Sequence, residues 1–125
     1  MSVRVYLAAG AGGVRSLRDA GTVRAPGYAV TPAMRAADPR ADEEDLEYEA
    51  ALLAEGDLRS RDGAVVVVAA DVSRLPAEHE PGAELEVPAS SVVALHVAEH
   101  GASEDEELLW YDATELDDVA AYLGI

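Results

Sequence analysis

Four consecutive valines at positions 65–68 constrain the fold of this 125-residue chain more than any other feature. They lie within an apolar stretch, residues 63–71, that begins at Gly63 and ends at Asp71. The stretch is too short to span a membrane, and its β-branched side chains favour a strand over a helix. An apolar run of this length is typical of a strand buried on both faces, which needs neighbours along both edges and cover over each face. The run therefore predicts the central strand of an α/β sheet.

Hydrophobic periodicity predicts further strands before and after this stretch. Val3, Val5 and Leu7 alternate with more polar residues near the N-terminus, and a stricter alternation of acidic and apolar residues follows the central stretch. Such alternation is typical of strands with one face toward water. The additional strands are predicted at residues 2–8, at 28–30 after a turn at 26–27, at 84–87 and at 92–97.

Capping signatures predict two helices between the first strand and the valine stretch. Thr31 followed by Pro32 is typical of a helix start and predicts a short helix at 32–37. Asp42, placed before an acidic first turn, predicts a long helix at 43–59. The spacing of apolar residues defines the side of the long helix that should face the sheet. Those residues are Leu46, Ala50, Leu52 and Leu53.

A glycine-rich segment follows the first strand, with glycines at positions 10, 12 and 13. Strand, glycine loop and helix in this order resemble a phosphate-binding arrangement. The third glycine of a dinucleotide-binding fingerprint would fall at Arg15, however, and the chain has no lysine for a P-loop. The segment is therefore interpreted as a flexible linker before a short helix that starts near Val14 and ends at Gly21.

The C-terminal part of the chain admits two interpretations. The first is a strand at 108–111 followed by a helix at 114–123 that Thr114 and Asp117 cap. The alternative is a single helix at 104–123. With the first interpretation, the sequence predicts one α/β (α+β) domain over residues 1–125, in two layers. Its mixed central sheet has residues 63–71 as central strand, covered by helices at about 43–59 and 114–123.

Charge and composition narrow the classes of function. The chain has 25 acidic residues, nine arginines and no lysine, and its net charge is −16. A field of this sign repels nucleic acid and attracts basic proteins, although salt adaptation or solubility would also account for it. There is no cysteine, no apolar run long enough to span a membrane and no signal-peptide pattern at the N-terminus. These features predict a cytoplasmic protein.

Asp71 is the first candidate for a catalytic or ligand-binding residue. Open α/β sheets bind ligands beyond the carboxyl ends of their strands, and Asp71 ends the predicted central strand. Glu78 and His79, in the loop that follows, could act as acid or base if they met Asp71 in a concave pocket. The alternative is that Asp71 caps or turns the chain and that His79 is exposed.

His96 and His100 are the only other histidines, and they are four residues apart. In a strand this spacing places both on one face, about 13 Å from each other. Two ligands of one metal ion must lie much closer together. The sequence therefore predicts no metal site, and no cofactor motif is present.

Trp110 and Tyr111 are neighbours, so in a strand their rings point to opposite faces of the sheet. Trp110 has the larger apolar surface and is predicted to be the buried ring. Tyr111 would then lie under the final helix with partial cover. The pair is a candidate contact for a partner protein.

Several segments, in matching order over most of the chain, resemble an uncharacterised family of small acidic actinobacterial proteins, a domain of unknown function. These segments are RVYL at 4–7, YAVTPA at 28–33, DLEYEA at 45–50, VVVVAADV at 65–72, ALHV at 94–97 and ELLWY at 107–111. The chain departs from the family at its glycine segment, where a turn with proline and threonine is usual, and at residues 99–106, where the family has a longer insert. The resemblance implies a bacterial origin and brings no established activity, substrate or site.

Two functions from different classes follow from these patterns. The first is a non-enzymatic binding or regulatory module whose acidic surface meets a basic partner protein. The alternative is a small hydrolase or ligand-binding domain with its site near Asp71. The binding module is preferred because the acidic residues concentrate in three segments. Those segments are 42–49, 78–86 and 104–118. The sequence leaves the oligomeric state open.

Overall fold

A six-stranded sheet forms the centre of the protein in a computed structural model, which describes residues 2–61, 63–76, 78–98 and 108–125. The strands are β1 (Val3–Ala8), β2 (Thr22–Tyr28), β3 (Val65–Val72), β4 (Glu84–Pro88), β5 (Val92–Ala98) and β6 (Leu109–Asp112). The helices are α1 (Gly10–Ala20), α2 (Pro32–Ala37), α3 (Glu43–Arg59) and α4 (Leu116–Leu123). The strand order is β4-β2-β1-β3-β5-β6. None of the helices in the described ranges has both the length and the apolarity needed to cross a bilayer.

The valine strand lies inside the sheet, as predicted. β3 pairs with β1 on one side and with β5 on the other. Val66 and Val68 pack on one face with residues of α1 and α4, whereas Val65 and Val67 pack on the opposite face with residues of α3. All four valines are buried. The strand therefore has the two paired edges and the two covered faces that a continuous apolar run requires.

The α+β class and the single domain are confirmed, and the structure differs from the prediction in two details. The sheet was predicted to be mixed, but every described pairing is antiparallel. Two layers were predicted, but helices cover both faces and produce three. The additional layer exists because α1 packs beside α4 on the face opposite α3.

Helix α1 contains the segment that the sequence analysis interpreted as a flexible linker, and that interpretation is wrong. The helix begins at Gly10 and ends at Ala20, with Gly21 as its left-handed C-cap. Gly10 has a φ of +65°, which lets the chain turn directly from β1 into the helix. Gly13 is buried, and a Cβ atom there would lie 2.5 Å from the Cβ of Ala9 and 3.2 Å from a methyl of Val23. These glycines permit a tight turn and close packing.

Strand β2 lies earlier in the chain than predicted. It includes Pro26 and Gly27, which the sequence analysis placed in a turn, and it ends at Tyr28, where a short strand was predicted to begin. Val23, Ala25 and Gly27 are buried in alternation. This period of two is typical of a strand, and the Pro-Gly pair obscured it because these residues usually mark turns.

Helix α3 has the predicted bounds and the predicted N-cap. The carboxylate of Asp42 accepts a hydrogen bond from the backbone N–H of Asp45 at 2.9 Å. The buried stripe differs from the prediction, because Leu52 and Leu53 are exposed. Leu46, Ala50, Ala54 and Leu58 are the residues that face the sheet. The two alanines allow the helix to approach the sheet closely, and this is why the alanine side is the buried one.

The C-terminal part is a strand followed by a helix, as in the preferred interpretation. β6 and α4 are joined by a short 3-10 turn, Ala113–Glu115, so a single helix at 104–123 is wrong. The capping box uses Asp112 and Glu115 in place of Thr114 and Asp117. Helix α4 ends at Gly124, which adopts a left-handed conformation.

Candidate interaction surface

Asp71 forms a two-point ion pair with Arg4 on the neighbouring strand. The two residues are direct partners in the β1–β3 register. The guanidinium of Arg4 donates from Nε to Oδ1 at 2.6 Å and from Nη2 to Oδ2 at 3.2 Å. The hydrogen bond to Asp71 raises the pKa of Arg4, and burial of the guanidinium opposes this effect. The carboxylate of Asp71 thus serves to pair two central strands, and it neither caps nor turns the chain.

Glu78 and His79 do not meet Asp71. The ring of His79 is hydrogen-bonded through Nε2 to the backbone oxygen of Gly27 at 3.1 Å, and Glu78 is exposed. Gly27 is in register with Leu7, which in turn pairs with Val68. Asp71 therefore lies two strands across and three residues along from Gly27, a separation of about 14 Å.

Two of the surface cavities do not include these three residues in their walls. One, of about 420 Å³, lies along the second half of α3. The other, of about 320 Å³, lies between β4 and the chain that follows β3. The pocket that a hydrolase site near Asp71 would require is therefore found at neither position.

Trp110 and Tyr111 point to opposite faces, as predicted, but their burial is reversed. In the β5–β6 register, Trp110 pairs with His96 and Tyr111 with Leu95. Trp110 is 62% exposed. Tyr111 packs against the core on the α4 side, and its ring centroid lies 6.4 Å from that of Tyr122. The prediction that Trp110 is buried is wrong.

The position of α3 explains why Trp110 is exposed. The helix packs over β1, β2 and β3, and so does not extend across the sheet as far as β6. On the opposite face, α4 packs against β6 and covers Tyr111. Which of the two rings is buried therefore depends on which helix reaches the edge strand. The size of the rings does not decide it.

His96 lies on β5 beside Trp110 and is partly buried. Burial lowers the pKa of His96 from its ordinary value of 6.5, and the charge of Arg4 lowers it further, whereas the charge of Glu55 raises it. Burial and Arg4 thus favour the neutral imidazole. His100, its predicted neighbour, lies outside the described residues. Within the described ranges, no three His, Asp or Glu side chains are grouped as a metal site would require.

Paired charges flank the contact between α3 and the sheet. Arg59 and Glu55 form an ion pair on α3 at 3.0 Å, and both side chains are mostly buried. Tyr6 is also buried, and burial, followed by the negative charge of Glu47, raises its pKa. The Arg59–Glu55 pair is mutually compensated, and the phenol of Tyr6 is kept neutral, so these groups act in the packing of α3 on the sheet.

The first half of α3 carries more negative charge than its one described ion pair, Glu43 with Arg35, compensates. Glu44, Asp45 and Glu49 are exposed, and no arginine lies within ion-pair distance of them in the described part of the chain. The six ion pairs in the described ranges involve six of the nine arginines and six acidic residues. Tyr48 and Leu52, one turn apart on the outer side of α3, are also exposed. The outer side of α3 therefore combines acidic and apolar surface.

Sequence reasoning found these elements but not their arrangement. It identified Trp110 and the acidic turn of α3, and it missed the pairing of Trp110 with His96. The alternation at 92–97 shows that His96 lies on the face opposite Leu95. The register between β5 and β6 brings His96 beside Trp110. The sequence does not determine this register, because the length of the segment between the two strands does not fix their alignment.

Comparison with known proteins gives a match to a family model over residues 3–120. The family is described as one of unknown function, DUF6912. No curated protein and no solved structure matches the chain significantly. The predicted resemblance to an uncharacterised family is confirmed.

Proposed function

We propose that this chain, which belongs to DUF6912, a family of unknown function, is a non-enzymatic binding module whose acidic surface meets a basic partner protein. The observation that carries the proposal is the negative charge on the first half of α3, where Glu44, Asp45 and Glu49 are exposed and, within the described ranges, have no arginine at ion-pair distance. Exposed carboxylates of one sign raise the rate of encounter with a basic protein and favour its orientation. A cytoplasmic location is part of the proposal.

No observation favours the alternative, a hydrolase or ligand-binding domain near Asp71. The carboxylate of Asp71 is held by Arg4 at 2.6 Å. The imidazole of His79 is hydrogen-bonded to the backbone of β2. A base and a nucleophile must lie within reach of the same reacting atom, and these two groups do not. The contacts that they make are those of residues that stabilise the fold.

Affinity capture with matched charge variants tests the proposal. The tagged protein is incubated with lysate of the source organism at low and high salt, and retained proteins are identified by mass spectrometry. We expect basic proteins to be retained at low salt and released at high salt, because screening weakens contacts between exposed charges. The triple variant Glu44→Gln, Asp45→Asn, Glu49→Gln should not retain these basic proteins at low salt.

The control removes the same number of charges elsewhere. Glu78, Glu80 and Glu86 are also exposed. Their replacement by glutamine changes the net charge equally and should leave the same proteins bound. Equal losses in both triple variants would mean that only overall charge matters. An empty capture at low ionic strength would contradict the proposal altogether.

A further inference from the structure

Within the described residues, the outer edge of β6 has no strand paired to it and carries exposed apolar side chains. In the described part of the chain, β6 pairs with β5 alone. Leu109 is 45% exposed and Trp110 is 62% exposed. An open edge of this kind is a template on which another strand can pair.

The backbone of Trp110 directs both of its hydrogen-bonding groups toward this open edge. The N–H of Asp112 donates to Oε1 of Glu115 at 2.9 Å, so it does not point to β5. Alternate residues of an antiparallel strand direct their N–H and C=O groups to the same side. Trp110 lies two residues before Asp112 in a regular register, so its backbone N–H and C=O groups also point away from β5. A residue of an added strand could form two hydrogen bonds with it.

The opposite edge of the sheet is protected against such pairing. Strand β4 exposes Glu84 and Glu86 and ends at Pro88, which has no N–H to donate. The carboxylate of Glu84 is held by Arg24 at 2.8 Å. Charged residues and proline are the usual means by which proteins prevent edge pairing. Strand β6 has instead three consecutive apolar or aromatic residues, ending at Tyr111.

The charge around β6 determines which strand would fit. Asp112, Asp117 and Asp118 are exposed where β6 leads into α4, and only Asp117 among them forms a described ion pair, with Arg18 at 3.7 Å. With a net charge of −16, two copies of the chain repel each other, so a second copy is a poor occupant. The face of an indole attracts lysine and arginine cations, and the side chain of Trp110 is mostly exposed.

We infer that a basic segment of the partner protein adds to β6 as an extended strand. Its backbone pairs with that of Trp110, and one of its lysine or arginine side chains lies on the indole ring. Strand addition of this kind takes affinity from main-chain hydrogen bonds and specificity from side chains. The inference rests on the proposed function and adds, to the acidic contact on α3, a second contact of the same partner at the β6 edge, in an extended conformation.

The test uses a labelled, end-capped hexapeptide of alternating arginine and valine, whose binding is followed by fluorescence anisotropy at low salt. We expect saturable binding that Trp110→Ala weakens about tenfold or more. Methylation of alternate backbone nitrogens of the peptide should weaken it similarly, because the main-chain hydrogen bonds are lost. Leu53→Ala, at an exposed apolar residue on α3, is the matched control and should leave the affinity unchanged.

Four outcomes would overturn the inference. If the triple variant of α3 weakens binding and Trp110→Ala does not, the proposed function stands and the docking edge is wrong. The same holds if basic proteins are captured from lysate while the peptide does not bind. Equal binding of an alternating glutamate-valine peptide would exclude a basic occupant. Dimerisation detected by light scattering, and abolished by Trp110→Ala, would assign the edge to a second copy of the chain.

Discussion

Gly12 and Gly13 are adjacent in the first turns of α1 and differ in what surrounds them. A Cβ atom at Gly13 would contact Ala9 and Val23 at 2.5 Å and 3.2 Å, whereas nothing lies within 4 Å of one at Gly12. We expect Gly13→Ala to lower the free energy of unfolding by about 1–3 kcal/mol through overpacking. Gly12→Ala should raise it by up to about 1 kcal/mol, because alanine favours a helix. Urea denaturation measures both, and equal effects would contradict the packing of α1.

His96 should make stability depend on pH in a defined direction. Its pKa in the folded protein lies below 6.5, because burial and Arg4 disfavour the imidazolium. In the unfolded chain the pKa of His96 is about 6.5, so between this value and the lower folded pKa the unfolded chain binds more protons than the folded protein. The free energy of unfolding therefore falls as the pH decreases below about 6.5, and it levels off below the folded pKa. Urea midpoints from about pH 8 to about pH 5 should fall more steeply for the wild type than for His96→Gln. Parallel curves would contradict this environment for His96.

Strand β6 gives a prediction at the scale of the element. Trp110 is mostly exposed, and Leu95 on the neighbouring strand is fully buried. Trp110→Ala should therefore change the free energy of unfolding by less than about 1 kcal/mol, whereas Leu95→Ala should lower it by about 2–5 kcal/mol. Urea denaturation compares the two variants. A loss of several kcal/mol for Trp110→Ala would mean that the indole is covered in solution.

The elements that sequence reasoning predicted well are those whose signals are local. Asp42 and the acidic turn after it define the start of α3, and the valine run defines β3. The less accurate predictions concerned tertiary packing. Leu52 and Leu53 are more hydrophobic than Ala54, yet Ala54 is buried because a small side chain permits the helix to approach the sheet.

The candidate surface could be predicted only in part, for the same reason. Charge is a property of the sequence, so the acidic turn of α3 was identified from composition alone. The exposure of Trp110 depends on how far α3 extends across the sheet, and the position of His96 beside it depends on strand register. Neither is encoded in a local pattern.

At the scale of the whole molecule, the excess of negative charge should oppose folding. A net charge of −16 on 125 residues produces repulsion that is stronger in the compact state than in the unfolded chain. Screening by salt reduces this repulsion. We expect the melting temperature to rise as sodium chloride increases from about 10 mM to about 300 mM. An unchanged or falling melting temperature would show that the described ion pairs outweigh the repulsion.

The most direct test of the central claim is the salt dependence of the affinity for a partner recovered by capture. The purified partner is titrated against the immobilised protein at several salt concentrations, from about 50 mM to about 500 mM sodium chloride. A module that binds through its acidic surface should show a Kd that increases steeply with salt, and the triple variant of α3 should show a weaker dependence. A Kd that does not change over this range would contradict an electrostatic partner surface.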